Sequence, residues 1–261
     1  MLKVSNLSKT FGRVTALDDI SFEVKEGEFV FITGPSGSGK TTLIRLILRE
    51  LLPDKGGIFL DDADVTKIPK RQVSNLRQNI GTVFQDFKLL NERTVRENIS
   101  VAMAVVGIPN AEWDARAKQV LKLTGIEDKI DMFPAQLAGG ELQRVAMARA
   151  LVINPKIILA DEPTGNLDWE TADKIMDLFE KINKEGKTIL MATHHEGIVD
   201  KMNKRVIKLV LSKKEEKKDD EETKKKDDEE KSKPKTKKVK EDNEDKKEID
   251  KKEENVKEEA K

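Results

Sequence analysis

The chain has 261 residues, of which 38% are charged and 4% aromatic, with no tyrosine and no cysteine. Its 49 Lys and Arg balance 49 Asp and Glu, so it lacks the global basic field that gathers nucleic acid, and no direct nucleic-acid binding is expected. The absence of cysteine excludes a disulfide framework and a thiolate metal site, and fits a reducing compartment.

The charge is unevenly spread. From Ser212 to Lys261 nearly every residue is Lys, Glu or Asp. Such a segment cannot bury enough apolar surface to offset its ordering entropy, so residues 212–261 are expected to be a disordered or fluctuating helical tail. The domain is expected over residues 1–211, and about 210 residues suffice to bury a sizeable core.

In chain order, Met1-Leu2-Lys3-Val4 is strand-like and lacks the apolar core of a signal peptide. No apolar run approaches the roughly 20 residues that span a bilayer, so the chain reads as soluble and cytoplasmic, reaching a membrane only through a partner. Glu28 to Thr33 is a short β-rich run, followed by a Gly-rich loop and a helix with Leu43, Ile44, Leu46, Ile47 and Leu51 on one face. Pro53 to Gly57 reads as a turn into the strand Ile58-Phe59-Leu60, and Ile80 to Phe84 as a further strand. From about residue 91 to 150 the pattern turns helical, with Val95, Ile99, Met103 and Val106 and then Trp113, Ala117, Val120 and Leu121 at helical spacing. Ile157 to Ala160, Thr188 to Ala192 and Arg205 to Val210 resume the strands. Strands alternating with helices predict an α/β fold with a largely parallel sheet and a helical insert.

Gly34-Pro35-Ser36-Gly37-Ser38-Gly39-Lys40-Thr41, continuing into Thr42, matches the phosphate-binding pattern G-x-x-x-x-G-K-[ST] between a strand and a helix. Its glycines let backbone N–H groups converge on phosphate oxygens, and the helix directs its positive end at the same anion. Lys40 is placed to reach the β- and γ-phosphates of a nucleotide, and the Thr41 hydroxyl to bind Mg²⁺. Far downstream, the apolar strand Ile157 to Ala160 ends in Asp161 and Glu162. Asp161 is placed to support Mg²⁺, and Glu162 to orient or deprotonate an attacking water.

Three further segments carry a family resemblance. Leu137-Ala138-Gly139-Gly140-Glu141, with Gln143-Arg144 after it, resembles the signature motif of the ABC ATPases. Gln85 after Phe84 is similar to the Q-loop glutamine, Gly165-Asn166-Leu167-Asp168 to the D-loop, and His194 after Thr193 to the switch histidine. The resemblance runs from Met1 to about Val210. It implies a P-loop NTPase of the ABC-ATPase fold: a mixed or parallel sheet core with a helical subdomain inserted at about 91–150. It further implies a homodimer sandwiching two ATP molecules with Mg²⁺, in which Ala138, Gly139, Gly140, Glu141 and Asp168 serve the neighbour's ATP. Glu162, His194 and Gln85 are then catalytic, Gln85 also touches the metal, and Phe11 stacks on adenine through its ring face.

Gly27 to Gly37 and Val83-Phe84-Gln85-Asp86-Phe87-Lys88-Leu89-Leu90 resemble the FtsE family of cell-division ABC ATPases. That resemblance implies a membrane-spanning FtsX-like subunit, coupling around Asp86 to Asn98, control of cell-wall hydrolases and a place on the inner face of the plasma membrane. Cytoskeletal division proteins are candidate partners for the tail. Two other readings stay open: the ATPase of a lipoprotein, lipid or drug exporter of the MacB or LolD kind, and an ATP-gated scaffold with weak hydrolysis. The sequence departs from the family pattern at three positions, of which Ala138 and His195 bear on the second. Ala138 stands where the signature usually has serine, Leu142 where a polar residue is common, and His195 where an acid often follows the switch histidine. The absent hydroxyl is expected to slow hydrolysis or weaken the sandwich, and the absent acid removes an orienting partner for His194.

Overall fold

The computed structural model describes residues 1–211; the reading of residues 212–261 as a tail lies outside the described residues. Among the described residues, nine strands form two sheets. The first is antiparallel, in the order β2 (Val14–Val24), β1 (Leu2–Phe11), β4 (Lys55–Leu60), β5 (Ala63–Asp64). The second is wholly parallel, in the order β6 (Ile80–Phe84), β7 (Ile157–Asp161), β8 (Thr188–Ala192), β3 (Phe29–Thr33), β9 (Arg205–Lys208).

The parallel strands are short apolar runs because both of their faces are covered. Phe29 and Phe31 point into a core shared with Val95, Ile99 and Met103 of α3 (Val95–Val105), Leu121 of α4 (Asn110–Thr124), Val145 of α5 (Gly139–Leu151) and Phe179 of α6 (Trp169–Lys184). Val30 and Ile32, one residue out of phase, point into a second core. It is shared with Leu43, Ile44 and Ile47 of α1 (Lys40–Ile47) and with Leu2, Val4 and Ile58 of the antiparallel sheet. Two short helices, α2 (Val73–Arg77) and α7 (Glu196–Met202), complete the described chain.

The helical stretch expected between about 91 and 150 holds α3, α4 and α5, between β6 and β7 of the parallel sheet. Thr94 caps α3 through a reciprocal box with Glu97, which is why the helix starts there. The glycines expected as a turn, Gly56 and Gly57, instead lie inside β4. Gly56 has φ 79°, and a Cβ there would sit 2.2 Å from the Asn6 carbonyl oxygen, so only glycine lets β1 approach so closely.

Parallel order fixes where chemistry can occur. The carboxyl ends of β3, β6, β7 and β8 open on one edge, and the loops leaving them meet there.

Candidate functional site

The loop after β3 is pressed between two backbones. A Cβ at Gly34 would lie 2.5 Å from the Leu209 carbonyl oxygen, and one at Gly39 2.3 Å from that of Ala16. Both glycines have positive φ, 153° and 91°, so side chains are excluded twice over, by space and by backbone conformation. Gly39 precedes α1 without any side-chain cap, which leaves the first-turn N–H groups of α1 facing the loop. Ser38 is buried and its Oγ has no partner. Lys40 is only 6% exposed; its Nζ donates to the carbonyls of Gly34 at 2.8 Å and Pro35 at 3.2 Å.

The two acids at the end of β7 diverge. Asp161 is half-buried with Oδ1 orphaned. Burial pushes its carboxyl above the usual carboxylate range; the Glu162 and Asp86 charges add to this, while Thr41 and Lys40 oppose it. Glu162 takes a left-handed backbone, φ 49°, and its N–H donates to the Ala192 carbonyl at 2.9 Å. This turn sets its carboxylate between two partners. Lys40 Nζ lies 3.6 Å from Oε1, and His194 Nδ1 lies 2.5 Å from Oε2. A non-glycine residue held in this region stores strain of order 1–3 kcal/mol, which the surrounding contacts must offset.

Gln85, after β6, is locked to the loop after β7. Its Nε2 donates to Asn166 Oδ1 at 2.9 Å, and Asn166 Nδ2 donates to the Gln85 carbonyl at 3.0 Å. Together these loops line a cleft of about 1070 Å³ that gathers Pro35, Ser36, Lys40, Thr41, Gln85, Asp161, Glu162 and His194. Gly34, Gly37, Ser38, Gly39 and Thr42 belong to the loop and the first turn of α1 but are absent from the cleft lining.

Other residues singled out from sequence lie elsewhere. Phe11, 45% exposed, ends β1 outside the cleft lining, with Lys9 Nζ 5.5 Å from its ring centroid. Ala138 is the N-cap of α5, and Glu141 Oε2 accepts its N–H at 2.9 Å; with a methyl side chain the other half of a capping box is missing. Gly139 and Gly140 let α5 press on the segment around α6. A Cβ at Gly140 would meet Thr171 Cγ2 at 2.4 Å, and one at Gly139 would meet Leu167 Cδ2 at 3.3 Å. Asp168 caps α6, its Oδ1 accepting the Thr171 N–H at 3.0 Å, and the Thr171 contacts hold its carboxyl below the usual range. None of these lines the cleft.

His195 has two aromatic neighbours, His194 at 5.3 Å and Trp169 at 6.1 Å between ring centroids. His194 takes its side-chain partner from Glu162, not from the following residue. Leu142 lines a neighbouring hollow with Phe87, Leu89 and Pro134.

Two residues were not legible as site members. Asn166 lies within the D-loop-like segment, but its partner is 81 residues away. Arg149, near the end of α5, donates to the Lys88 and Phe87 carbonyls at 2.6 and 2.9 Å. It thereby holds two successive left-handed residues, Phe87 (φ 57°) and Lys88 (φ 52°), and burial lowers its guanidinium pKa.

Comparison with known proteins places this geometry. Residues 17–165 match the family described as ABC transporter. The cell division ATP-binding protein FtsE of Streptococcus pneumoniae is 49% identical over 195 residues, covering 75% of this chain and 85% of that protein. FtsE of Mycobacterium tuberculosis is likewise 49% identical, over 76% of this chain and 86% of its own length. An ATP-binding cassette solved as a dimer in a post-hydrolysis state, bound to ADP and Pi, superposes with a TM-score of 0.73 at 36% identity, over 82% of this chain and 97% of that one. No helix among the described residues is long and apolar enough to cross a membrane. Strand order, phosphate loop and relatives agree, and the chain belongs to the ABC transporter family as an ATP-binding cassette ATPase.

Proposed function

We propose that this chain is the ATP-hydrolysing subunit of an FtsE–FtsX-like cell-division complex, working as a homodimer on a membrane-spanning partner. The observation that carries the hydrolytic part is the placement of Glu162 between Lys40 and His194 at the mouth of the phosphate loop. The cell-division part rests on the named relatives at 49% identity.

In this reading the loop N–H groups and Lys40 hold the β- and γ-phosphates. Glu162 accepts the proton of the attacking water, and His194 supports the water or the γ-phosphate. Water oxygen bonds to the γ-phosphorus, the bond to the β,γ-bridging oxygen breaks, and ADP and phosphate leave. The donor set fits Mg²⁺: the buried, unpartnered Oδ1 of Asp161 and the nearby Thr41 hydroxyl are hard oxygen ligands, few enough to leave room for phosphate oxygens and water. When bound, such an ion would neutralise charge on the phosphates. Gln85 offers a further oxygen beside it. Gly139, Gly140 and Asp168 are not among the residues that line the chain's own cleft, which is consistent with groups that serve the partner's ATP.

The hollow lined by Phe87, Leu89, Pro134 and Leu142 is the proposed seat of the FtsX-like partner, through which ATP-driven closure would reach cell-wall hydrolases. The chain would thus work on the cytoplasmic face of the plasma membrane. Two measurements test the whole. Glu162→Gln should abolish steady-state ATP turnover while retaining ATP binding. Affinity capture from membranes should recover a protein with four predicted spans and a large extracytoplasmic loop. Turnover equal to that of Glu162→Gln would leave only a nucleotide-gated scaffold, and capture of an exporter subunit would assign the chain to transport.

A further inference from the structure

The geometry assigns Asn166 a task that resemblance did not give it: we propose that it is the positioning residue for Gln85, fixing which end of that amide faces the ATP cleft. The proposal rests on the hydrolytic reading of the cleft given above.

The Gln85 backbone carbonyl only accepts hydrogen bonds, so the Asn166 atom 3.0 Å from it must be the amide nitrogen. That orientation turns Asn166 Oδ1 toward the Gln85 side chain, and the atom meeting it at 2.9 Å must then be Nε2. One carbonyl therefore determines both amides. The remaining pole of the Gln85 side chain, Oε1, is the one free for the cleft that Gln85 and Asn166 line with Asp161 and Glu162. An oxygen, not an N–H, is the correct pole for a cation or for the hydrogens of a water. Without Asn166 the amide could rotate, and half of its orientations would present the wrong atom.

Gly165 makes room for the pair. A Cβ there would lie 2.9 Å from Gln85 Nε2 and 3.0 Å from Cδ. Its φ is not in the left-handed region, so glycine is required by space alone. Aspartate at 166 would be nearly isosteric but wrong: it keeps an acceptor for Nε2 and turns a second acceptor toward the Gln85 carbonyl. Because Gln85 leads into the segment proposed to meet the membrane partner, and Asn166 lies two residues before Asp168, the pair also ties those two loops together within one subunit.

The test uses the full chain. In ¹⁵N-labelled protein the Gln85 side-chain amide signals, assigned by their loss in Gln85→Ala, should shift in both Asn166→Ala and Asn166→Asp. Unchanged signals in both would overturn the pairing. In ATPase assays Asn166→Ala should lower kcat about three- to tenfold, the scale of one or two lost neutral hydrogen bonds, with KM nearly constant. Asn166→Asp should do no better, and adding Asn166→Ala to Gln85→Ala should cost nothing further. Additive losses, or full activity in Asn166→Asp, would overturn the positioning role. Should Glu162→Gln leave turnover unchanged, the hydrolytic reading fails by itself, and the amide signals still decide whether the pair exists.

Discussion

His194 and Glu162 come from the ends of neighbouring strands and meet at 2.5 Å between Nδ1 and Oε2. A carboxylate can only accept, so Nδ1 carries the proton and Nε2 is the atom left for water or phosphate. The two nitrogens of one ring thus have separate partners. Glutamine places its amide nitrogen near the position of Nε2, and asparagine near that of Nδ1. His194→Gln should therefore retain more turnover than His194→Asn, which should fall about 100-fold or more, as expected for a misplaced proton-handling group. Single-turnover ATP hydrolysis checks the order, and a more active His194→Asn would refute it.

Ala138→Ser should act twice. Ala138 is the N-cap of α5 and gives no side-chain acceptor to the helix, although Glu141 already closes the other half of the box. A serine there should raise unfolding stability by about 1 kcal/mol, the typical worth of an N-cap hydroxyl. The same hydroxyl can still donate its own proton across the proposed dimer, so ATP-dependent dimerisation should tighten as well. Urea unfolding of the single chain separates the two effects, because only the first survives without nucleotide.

Gly140→Ala should disturb the fold before it disturbs any nucleotide. The new methyl would fall 2.4 Å from Thr171 Cγ2 on α6, an overlap that costs about 1–3 kcal/mol to relieve. Removing that methyl with Thr171→Ala should recover much of the loss, since the Thr171 contact to Asp168 uses its backbone N–H. A thermal-melt cycle of both single variants and the double variant measures the coupling; strict additivity would exclude the steric account.

Glu28 governs an acid-sensitive contact between β3 and β9. Burial pushes its carboxyl up, but the Lys25 N–H at 2.8 Å and the Arg205 guanidinium at 3.0 Å outweigh burial and hold it below the usual range. Its folded-state pKa is thus lower than its unfolded one. The stability it contributes is present above the unfolded pKa and is lost as pH falls through the folded value, from about pH 4 downward. Glu28→Gln should cost up to about 1 kcal/mol at pH 7, the scale of a partly exposed pair. Its deficit should shrink at pH 3, and urea midpoints at the two pH values decide this.

A chain ending at Leu211 should keep the ATPase activity of the full chain, on the proposal that residues 212–261 are an appendage. Loss of folding on that truncation would contradict the boundary.

What the sequence revealed followed the range of each interaction. The phosphate loop was readable because Gly34 to Thr41 is one contiguous segment with the correct strand and helix around it. Asp161 and Glu162 were readable because strand β7 delivers them together. The antiparallel sheet was mostly hidden. Strand β1 buries Leu2, Val4 and then Leu7, and the register shift at Asn6 (φ 45°) breaks the two-residue alternation by which strands are recognised. The lock between Gln85 and Asn166, and the Arg149 contacts to Phe87 and Lys88, join residues 61 to 81 positions apart. No local period encodes such pairs. The tilted contact of His195 with Trp169 was invisible for the same reason.

Strand β9 has a consequence for the order in which the protein can be made. Leu209 donates its N–H to the Thr33 carbonyl at 2.7 Å, and its own carbonyl fills the space beside Gly34. The loop at position 34 is therefore backed by a residue 209 − 34 = 175 positions later. During synthesis from the N-terminus, the strand that leads into the loop emerges early but waits for almost all of the described chain before its neighbour arrives. A nascent chain should then acquire tight ATP binding late and abruptly, after β9 leaves the ribosome. Nucleotide would thus report completion of the domain.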